Sequence, residues 1–592
     1  MKEELENILK KVARGASFEV LVSEKEEFGH YSTNLAMRLF KKVSGDRLEV
    51  AGKGNALELA KGLAEEIGAK APRGMFERVE AAPPGFINFW LSSEFLQKEL
   101  GKALAQKDFG RTNLGKSKKV IFEYSDPNIA KRMHVGHLRA TIIGDALSNI
   151  YEFLGYKVIR WNYIGDWGTQ FGKMIAAYKL WGNKAVVQKN PVEELQNLYV
   201  KFHEEMKLKP ELEDRGREEF KKLEDGDTEN RKLWEWFRRE SLKEFDQIYK
   251  VLGVKFDLVL GEAFYEKDLK KIIADLKKKG IAKKSEGSWV VPLEEGNLPP
   301  ALIEKADGAT LYMTRDIANI KYRLAKHKPA KVFYVVGNEQ TFHFEQLFAI
   351  AKILGWDKKT ELRHIKYGLV LGEDKKKLAT REGKTIQLKE LIDRVISLAR
   401  KLVEEKDTDL SAKEKKKVAE AVGMGALKYF DLKENRQSDI VFDWERMLDL
   451  RGNSAPYLLY TYARFASILK KSKMKEKGKT PSARSGTRAD LGKLVKKEEL
   501  DLMRKILGFP DAVLEVHDSL FTSSLAKYLY ELSNLASRFY EAAPVLSSRG
   551  GSASDGKDES ALRAARVELV SMTNRVLEKG LGLLGVKALD NI

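Results

Sequence analysis

The stretch Lys116–Gly168 limits the fold more than any other part of the 592-residue chain. KSKKVIFEYS is a basic lead-in to a buried strand, and a loop with Pro127 leads on to NIAKRMHVGHLRATIIGDAL. That run predicts a helix over about Leu138 to Leu154, ended by Gly155, before a second strand in KVIRWNYIGDWG. Parallel neighbours need a crossover of this length, and such crossovers are right-handed, so the unit is βαβ. KVFYVVG (Lys331–Gly337) and HIKYGLVLG (His364–Gly372) add two strands. The segment from about Met174 to Lys283 between them is mostly charged helix. The sheet therefore reads as Rossmann-like and split around an insertion.

Flanking patterns differ in kind. Residues 1–112 mix helical runs with short strands such as GFINFWLS (Gly85–Ser92), whose side chains alternate in character. After about Ser411 the pattern is nearly all helical, with Lys470–Gly492 and Ser547–Ser560 reading as flexible loops. The expected architecture is an N-terminal α+β domain (1–112), an α/β Rossmann-like core (113–400) and a C-terminal all-α helical bundle (401–592). The core is expected to carry its insertion at about 175–300. A chain this long needs several cores.

Composition narrows the chemistry. The chain has no cysteine, which excludes disulfides, thiol nucleophiles and cysteine-held zinc. Eight scattered histidines argue against a structural metal, while Mg²⁺ needs only oxygens and phosphates. Lys+Arg exceed Asp+Glu by 106 − 87 = 19, which suits a polyanion such as nucleic acid, or a lysine-rich solvated face. No apolar run is long enough for a membrane span. MKEELENILKKVARG reads as an ordinary helix rather than a signal peptide, so a cytoplasmic location is expected.

His134 and His137 fall between a strand and a helix. A helix start offers free N–H groups and partial positive charge to phosphate, Gly136 permits close approach, and imidazoles add donors. A metal site would need a third ligand, and none is evident nearby.

HVGH resembles the HIGH signature of class I aminoacyl-tRNA synthetases, and SDPNIAKRMHVGHLRATIIGDAL with LGYKVIRWNYIGDWGTQFG resembles the arginyl-tRNA synthetases in particular. FGHYSTNLAM, GFINFWLS, KLEDGDTENRKLW, LYMTRDIA, YVVGNEQTFHFEQ and SAPYLLYTYARFASIL extend the likeness along the chain in order. The resemblance implies a Rossmann catalytic core, an additional N-terminal tRNA-binding domain and a helical anticodon-binding domain. It implies ATP-dependent activation of L-arginine to arginyl-adenylate, then transfer to the 2′-hydroxyl of the terminal adenosine of tRNA-Arg. Bound tRNA is needed for the first step in such enzymes. ATP comes with Mg²⁺, no metal is tightly held, and a monomer is expected.

The family's arginine pocket maps onto Glu123, Asn128, Tyr312, Asp316 and Gln340. Carboxylates and amides can read a planar guanidinium bidentately. Glu123 interrupts an apolar strand, and Tyr312 and Asp316 share a helical face. The adenylate side maps onto His134, Gly136, His137 and His343. The second class I signature, KMSKS, is degenerate: Lys377, Leu378, Ala379, Thr380 and Arg381 stand there, with threonine for the second lysine. Lys131 is the candidate replacement cation, at a position where this family commonly has lysine. For tRNA, Phe86 and Asn88 match positions that meet the elbow, and Tyr457, Tyr460 and Arg464 fall on one helix face. An RNA-binding paralogue without catalysis, or a class I synthetase for cysteine or glutamate, are the competing readings. Intact His134, His137, Glu123 and Asp316 argue against the first, and the paired carboxylates and lack of zinc ligands against the second.

Overall fold

A computed structural model describes residues 1–23, 25–44, 55–293, 298–376, 378, 386–405, 410–477, 489–546 and 557–590. Near the N-terminus, strands β1 (Val20–Val22), β2 (Tyr31–Thr33), β3 (Phe76–Ala82) and β4 (Phe86–Leu91) form an antiparallel sheet in the order β1-β2-β4-β3. The alternation in GFINFWLS does what its period requires. Ile87, Phe89 and Leu91 enter the core, where Leu5, Ile8, Leu35, Leu63 and Ile67 of the neighbouring helices are also buried. Phe86, Asn88 and Trp90 take the opposite face.

The central sheet is all parallel. Strands β5 (Lys119–Glu123), β6 (Lys157–Asn162), β7 (Leu258–Val259), β11 (Lys331–Gly337) and β12 (Glu361–Tyr367) lie in the order β12-β11-β5-β6-β7. Each face has its own core. Val120 and Phe122 belong to the cluster that includes Leu138, Ile142 and Tyr151 of helix α1 (Val135–Phe153). Ile121 and Trp161 belong to another, with Ile317 and Ile320 of a later helix. A strand covered on both sides must be apolar almost throughout, as VIF is. The chain leaves β5 first toward β6 and β7, and later fills β11 and β12 on the other side. That reversal opens a crevice at the carboxyl ends of β5 and β11, the usual ligand position in such sheets.

The insertion differs from its sequence pattern in two respects. Helix α2 (Thr169–Trp181), a short helix, α3 (Pro191–Leu208), α4 (Glu211–Glu224) and α5 (Thr228–Leu252) are as charged as expected, but core strand β7 follows them inside the run read as helix. Two residues are too few to show a strand period. Beyond it, β8 (Lys283–Ser285), β9 (Ser288–Leu293) and β10 (Leu298–Glu304) form a small antiparallel sheet, followed by α6 (Tyr312–His327) and, after β11, α7 (Thr341–Ile353).

Helix α8 (Ala412–Leu432) and its successors build the C-terminal bundle; among the described residues its one strand is β14 (Ile440–Val441), which pairs in parallel with β13 (Val370–Leu371). Helix α9 (Ala455–Lys477) runs into the first stretch read as a loop, and another helix begins at Lys557 within the second. The remainder of those stretches, 478–488 and 547–556, lies outside the described residues. The bundle also grips the N-terminal domain: Arg575 donates to the carbonyls of Leu104, Gln106 and Lys107, and Gln97 to that of Leu494.

Helix α1 lies so close to β5 that a Cβ on Gly144 would stand 2.2 Å from Cγ of buried Tyr124. Alanine would gain up to about 1 kcal/mol of helix propensity, but overpacking costs about 1–3 kcal/mol. Gly144→Ala is therefore expected to lower the urea midpoint, and an unchanged or raised midpoint would refute this packing.

Candidate active site

His134 is the N-cap of α1. Its Nδ1 accepts the N–H of Gly136 at 3.1 Å, and Nδ1 of His137 accepts the N–H of His134 at 3.1 Å. Two of the helix's orphan amides are thus satisfied by imidazoles instead of the usual hydroxyl or carboxylate. Because each Nδ1 accepts, each neutral ring carries its proton on Nε2. Burial, then the neighbouring His134, pushes the His137 pKa down to about 3, so this ring is neutral at ordinary pH. The two rings are 4.0 Å apart, and a Cβ on Gly136 would come within 2.9 Å of the His134 ring. The arrangement presents N–H donors and a helix dipole together, which suits phosphate.

The loop leading to this cap is strained and held from all sides. Ser125, Asp126 and Ala130 have φ of 81°, 47° and 59°, a region L-residues seldom occupy. Ser125 Oγ meets Tyr249 OH at 2.7 Å and receives the Thr141 hydroxyl at 2.9 Å. From the insertion, Ser241 accepts the Ala130 N–H, Gln196 accepts the Arg132 N–H, and Glu193 pairs with Arg132 at 2.7 Å. Lys131 Nζ rests 5.3 Å from the ring centre of Tyr199 on α3. Downstream, the Leu388 N–H donates to Met133 O at 2.8 Å and Gln387 bridges His134. Leu378 is tied to the Val370 carbonyl at 3.0 Å. Lys377, Ala379, Thr380 and Arg381 lie outside the described residues.

Beside the cap, the crevice is lined with carboxylates. Glu123 ends β5 buried and pairs with fully buried Arg323 of α6, whose guanidinium lies 4.4 Å from the Trp161 ring centre. Burial raises the Glu123 pKa, and Arg323 opposes this. Asp126, whose Oδ1 accepts the Tyr163 N–H at 2.8 Å, has its pKa raised well above the usual range by burial and then by Glu123. Burial raises Glu262 to about 8, with Asp316 and Asp166 adding to the shift and Arg315 opposing it. Asp316 meets His343 Nε2 at 2.6 Å. Tyr163 OH, Glu262 Oε2 and Asn319 Oδ1 are buried without a hydrogen-bond partner among the described residues. A cluster this rich in carboxyl groups and orphaned acceptors favours a cation with many donors, which would draw the raised carboxyls toward their charged form.

The sequence-predicted residues are thus placed as follows. Glu123 and Asp316 belong to this cluster; Asn128 is exposed and bridges Gly165; Tyr312 is 59% exposed; Gln340 is exposed at the start of α7. His343 sits against Asp316, on the pocket side of its helix. Phe86 is half-buried and Asn88 only 4% exposed, flanked in register by Ser32 and Glu80. On the bundle, Tyr457 turns inward to Asn534, whereas Arg464 lies between the half-exposed rings of Tyr460 and Tyr540, at 4.7 and 5.0 Å. Among the described residues, no group of three or more His, Asp or Glu could hold a metal ion, and no helix is long and apolar enough to cross a membrane.

Residues 99–444 match the family described as tRNA synthetases class I (R), catalytic domain. The chain belongs to the arginyl-tRNA synthetase family. Residues 1–91 match the arginyl tRNA synthetase N terminal domain and 458–592 the DALR anticodon binding domain. The arginine–tRNA ligase of Fusobacterium nucleatum is 41% identical over 576 residues, covering 97% of this chain and 95% of its own. That of Streptococcus suis is 44% identical over 528 residues, covering 89% and 90%. Among solved structures, the arginyl-tRNA synthetase of Plasmodium falciparum has a TM-score of 0.79 at 28% identity, with 100% of this chain and 98% of that chain covered. These matches agree with the expected class I core, N-terminal domain and helical C-terminal domain.

Sequence reasoning missed several residues of this synthetase-family site. Arg323 follows Asp316 by seven residues on one helix, a spacing that could have exposed it. Asp126 stands in the quoted SDPN turn, three residues after Glu123, but only the fold shows the two carboxyls acting on each other. Tyr540 had no local signal, being far from Tyr460 in the chain.

The His343–Asp316 pair has a pH signature. Burial works against a charged imidazole, yet the hydrogen bond and charge of Asp316 outweigh it and raise the pKa above 6.5. A pKa raised on folding stabilises fully below the unfolded value and is lost as pH climbs through the folded one. Unfolding free energy should therefore fall as pH rises from about 6.5 through the raised pKa. His343→Gln should remove that component; an unaltered pH profile in the variant would contradict the pairing.

Proposed function

We propose that the protein is an arginine–tRNA ligase that joins L-arginine to tRNA-Arg for protein synthesis, with ATP and its Mg²⁺ as co-substrate. The observation that carries this reading is the carboxylate-rich crevice beside the histidine cap, with Asp316 and Glu123 in it. A guanidinium supplies five planar donors to such acceptors, whereas an ammonium is a compact point charge. The arginine carboxylate then attacks the α-phosphorus of ATP, pyrophosphate leaves, and arginyl-adenylate forms. Nε2–H groups of His134 and His137 stabilise charge on the phosphate oxygens as it develops. The 2′-hydroxyl of the terminal adenosine next attacks the arginyl carbonyl and releases AMP.

The sites extend to tRNA. Tyr460, Arg464 and Tyr540 form a platform on which an unstacked base could lie, and stacking of this kind is worth about 1–3 kcal/mol per base. Phe86 offers a second apolar contact, with Asn88 beneath it at the sheet floor. A monomer in the cytoplasm is proposed on the family likeness alone.

Two variants test the assignment. Asp316→Ala should raise the arginine KM far more than that of ATP; equal effects on both would dissolve the pocket. Lys131 is the cation assigned to pyrophosphate in place of the lysine that Thr380 replaces. Lys131→Ala should slow adenylation by ~10²-fold or more with little change in ATP affinity. Unchanged pre-steady-state adenylation there, with loss in Lys377→Ala, would give the role to the other lysine.

A further inference from the structure

Arg139 is two residues past His137 on α1 and fully buried. Its guanidinium donates to the carbonyls of Gly368 at 2.7 Å, Ser438 at 3.2 Å and Arg436 at 3.3 Å. Its Nε stands 2.8 Å from Asp431 Oδ2, near the end of α8 and within the residues that match the catalytic domain. The carbonyls come from two segments, one just after β12 and one just before β14, which pair through Val370↔Ile440 and Leu371↔Val441. The Asp439 side chain adds a bond to the Leu369 N–H at 2.7 Å, and the Ile440 N–H donates to Leu369 O at 2.9 Å. One side chain therefore joins the helix start that carries the histidine cap, the end of the catalytic sheet and α8.

We propose that Arg139 is a positioning residue for adenylation and that the charge of Asp431 on α8 holds it in place. The proposal rests on the ligase reading above. A rigid fork with five donors can hold three carbonyls at fixed angles, and the ion pair with Asp431, which is not aligned as a hydrogen bond, holds the guanidinium in place through charge. Rotation of the guanidinium plane shifts the turn Gly368–Leu371 against α1, and with it the distance between the histidine donors and the strand on the far side of the nucleotide crevice. Asp431 is itself flanked on its helix by Tyr429 and Lys433, which bind Asn453 at 2.7 and 2.8 Å. Asn453 stands two residues before α9, which carries Tyr460 and Arg464. The bundle's RNA platform and the cap are thus joined through one helix and one guanidinium.

The test is arginine-dependent ATP–pyrophosphate exchange by the full-length enzyme with tRNA present, with rates referred to titrated active sites. Asp431→Asn keeps the side-chain shape and should lower kcat per site by about tenfold or more, with the arginine KM within about twofold of wild type. Arg139→Gln should be at least as slow, and the double variant no slower than Arg139→Gln alone, because the two act as a unit. A purely structural role would reduce the number of sites but leave the rate of each intact. That outcome, or effects that multiply in the double variant, would overturn the proposal. If Asp431→Asn gives no folded protein, Asp431→Glu displaces the carboxylate by one methylene and should show the same split; a wild-type rate per site would overturn the proposal equally. Wild-type enzyme without arginine-dependent exchange would refute the ligase reading instead.

Discussion

Backbone amides at the start of α1 bind the Nδ1 atoms of His134 and His137, and these two hydrogen bonds decide what the site can do. They leave Nε2–H as the donor on each neutral ring, and on the proposed reading these donors toward phosphate are set before any substrate arrives. Preorganised donors cost no reorientation when charge develops. The cap depends on a helix start fixed by its surroundings: Ser125 and Thr141 beneath it, Gln196 and Ser241 from the insertion, and Leu388 across it. Strain in the 125–130 turn persists because these neighbours over-determine it.

The second constraint is electrostatic. Burial in a poorly hydrated interior, and then neighbouring carboxylates, raise the cost of ionising Glu123, Asp126 and Glu262. Arg323 and His343 offset part of that charge from within the protein. On the proposed reading, a cationic substrate would relieve the rest. This couples the pocket to pH through the same groups that select the ligand.

Much of this was legible before the fold was known, for physical reasons. The βαβ unit announced itself because a buried parallel strand must be apolar and its crossover long, and the HVGH cap fell at the predicted junction. Glu123 stood out because a carboxylate inside VIFEY needs a partner. The partner, Arg323, could not be named from the strand alone, since it comes from α6, 200 residues further along the chain. β7 was hidden by its length, and β8–β10 by the lysines of the run around them. Arg139 sits in a quoted motif yet gave no hint of its role, because its acceptors are backbone carbonyls, which carry no sequence signature. Asn88 shows the reverse case: the motif marked it, and burial between Ser32 and Glu80 limits what can reach it.

The most direct test of the central claim, that a carboxylate-lined crevice beside a histidine phosphate clamp selects a guanidinium, is charging of total tRNA with each labelled amino acid in turn. The account predicts acid-precipitable label with arginine alone, dependent on ATP, and none with lysine at equal concentration. Comparable charging with lysine, or charging with another amino acid in place of arginine, would contradict it.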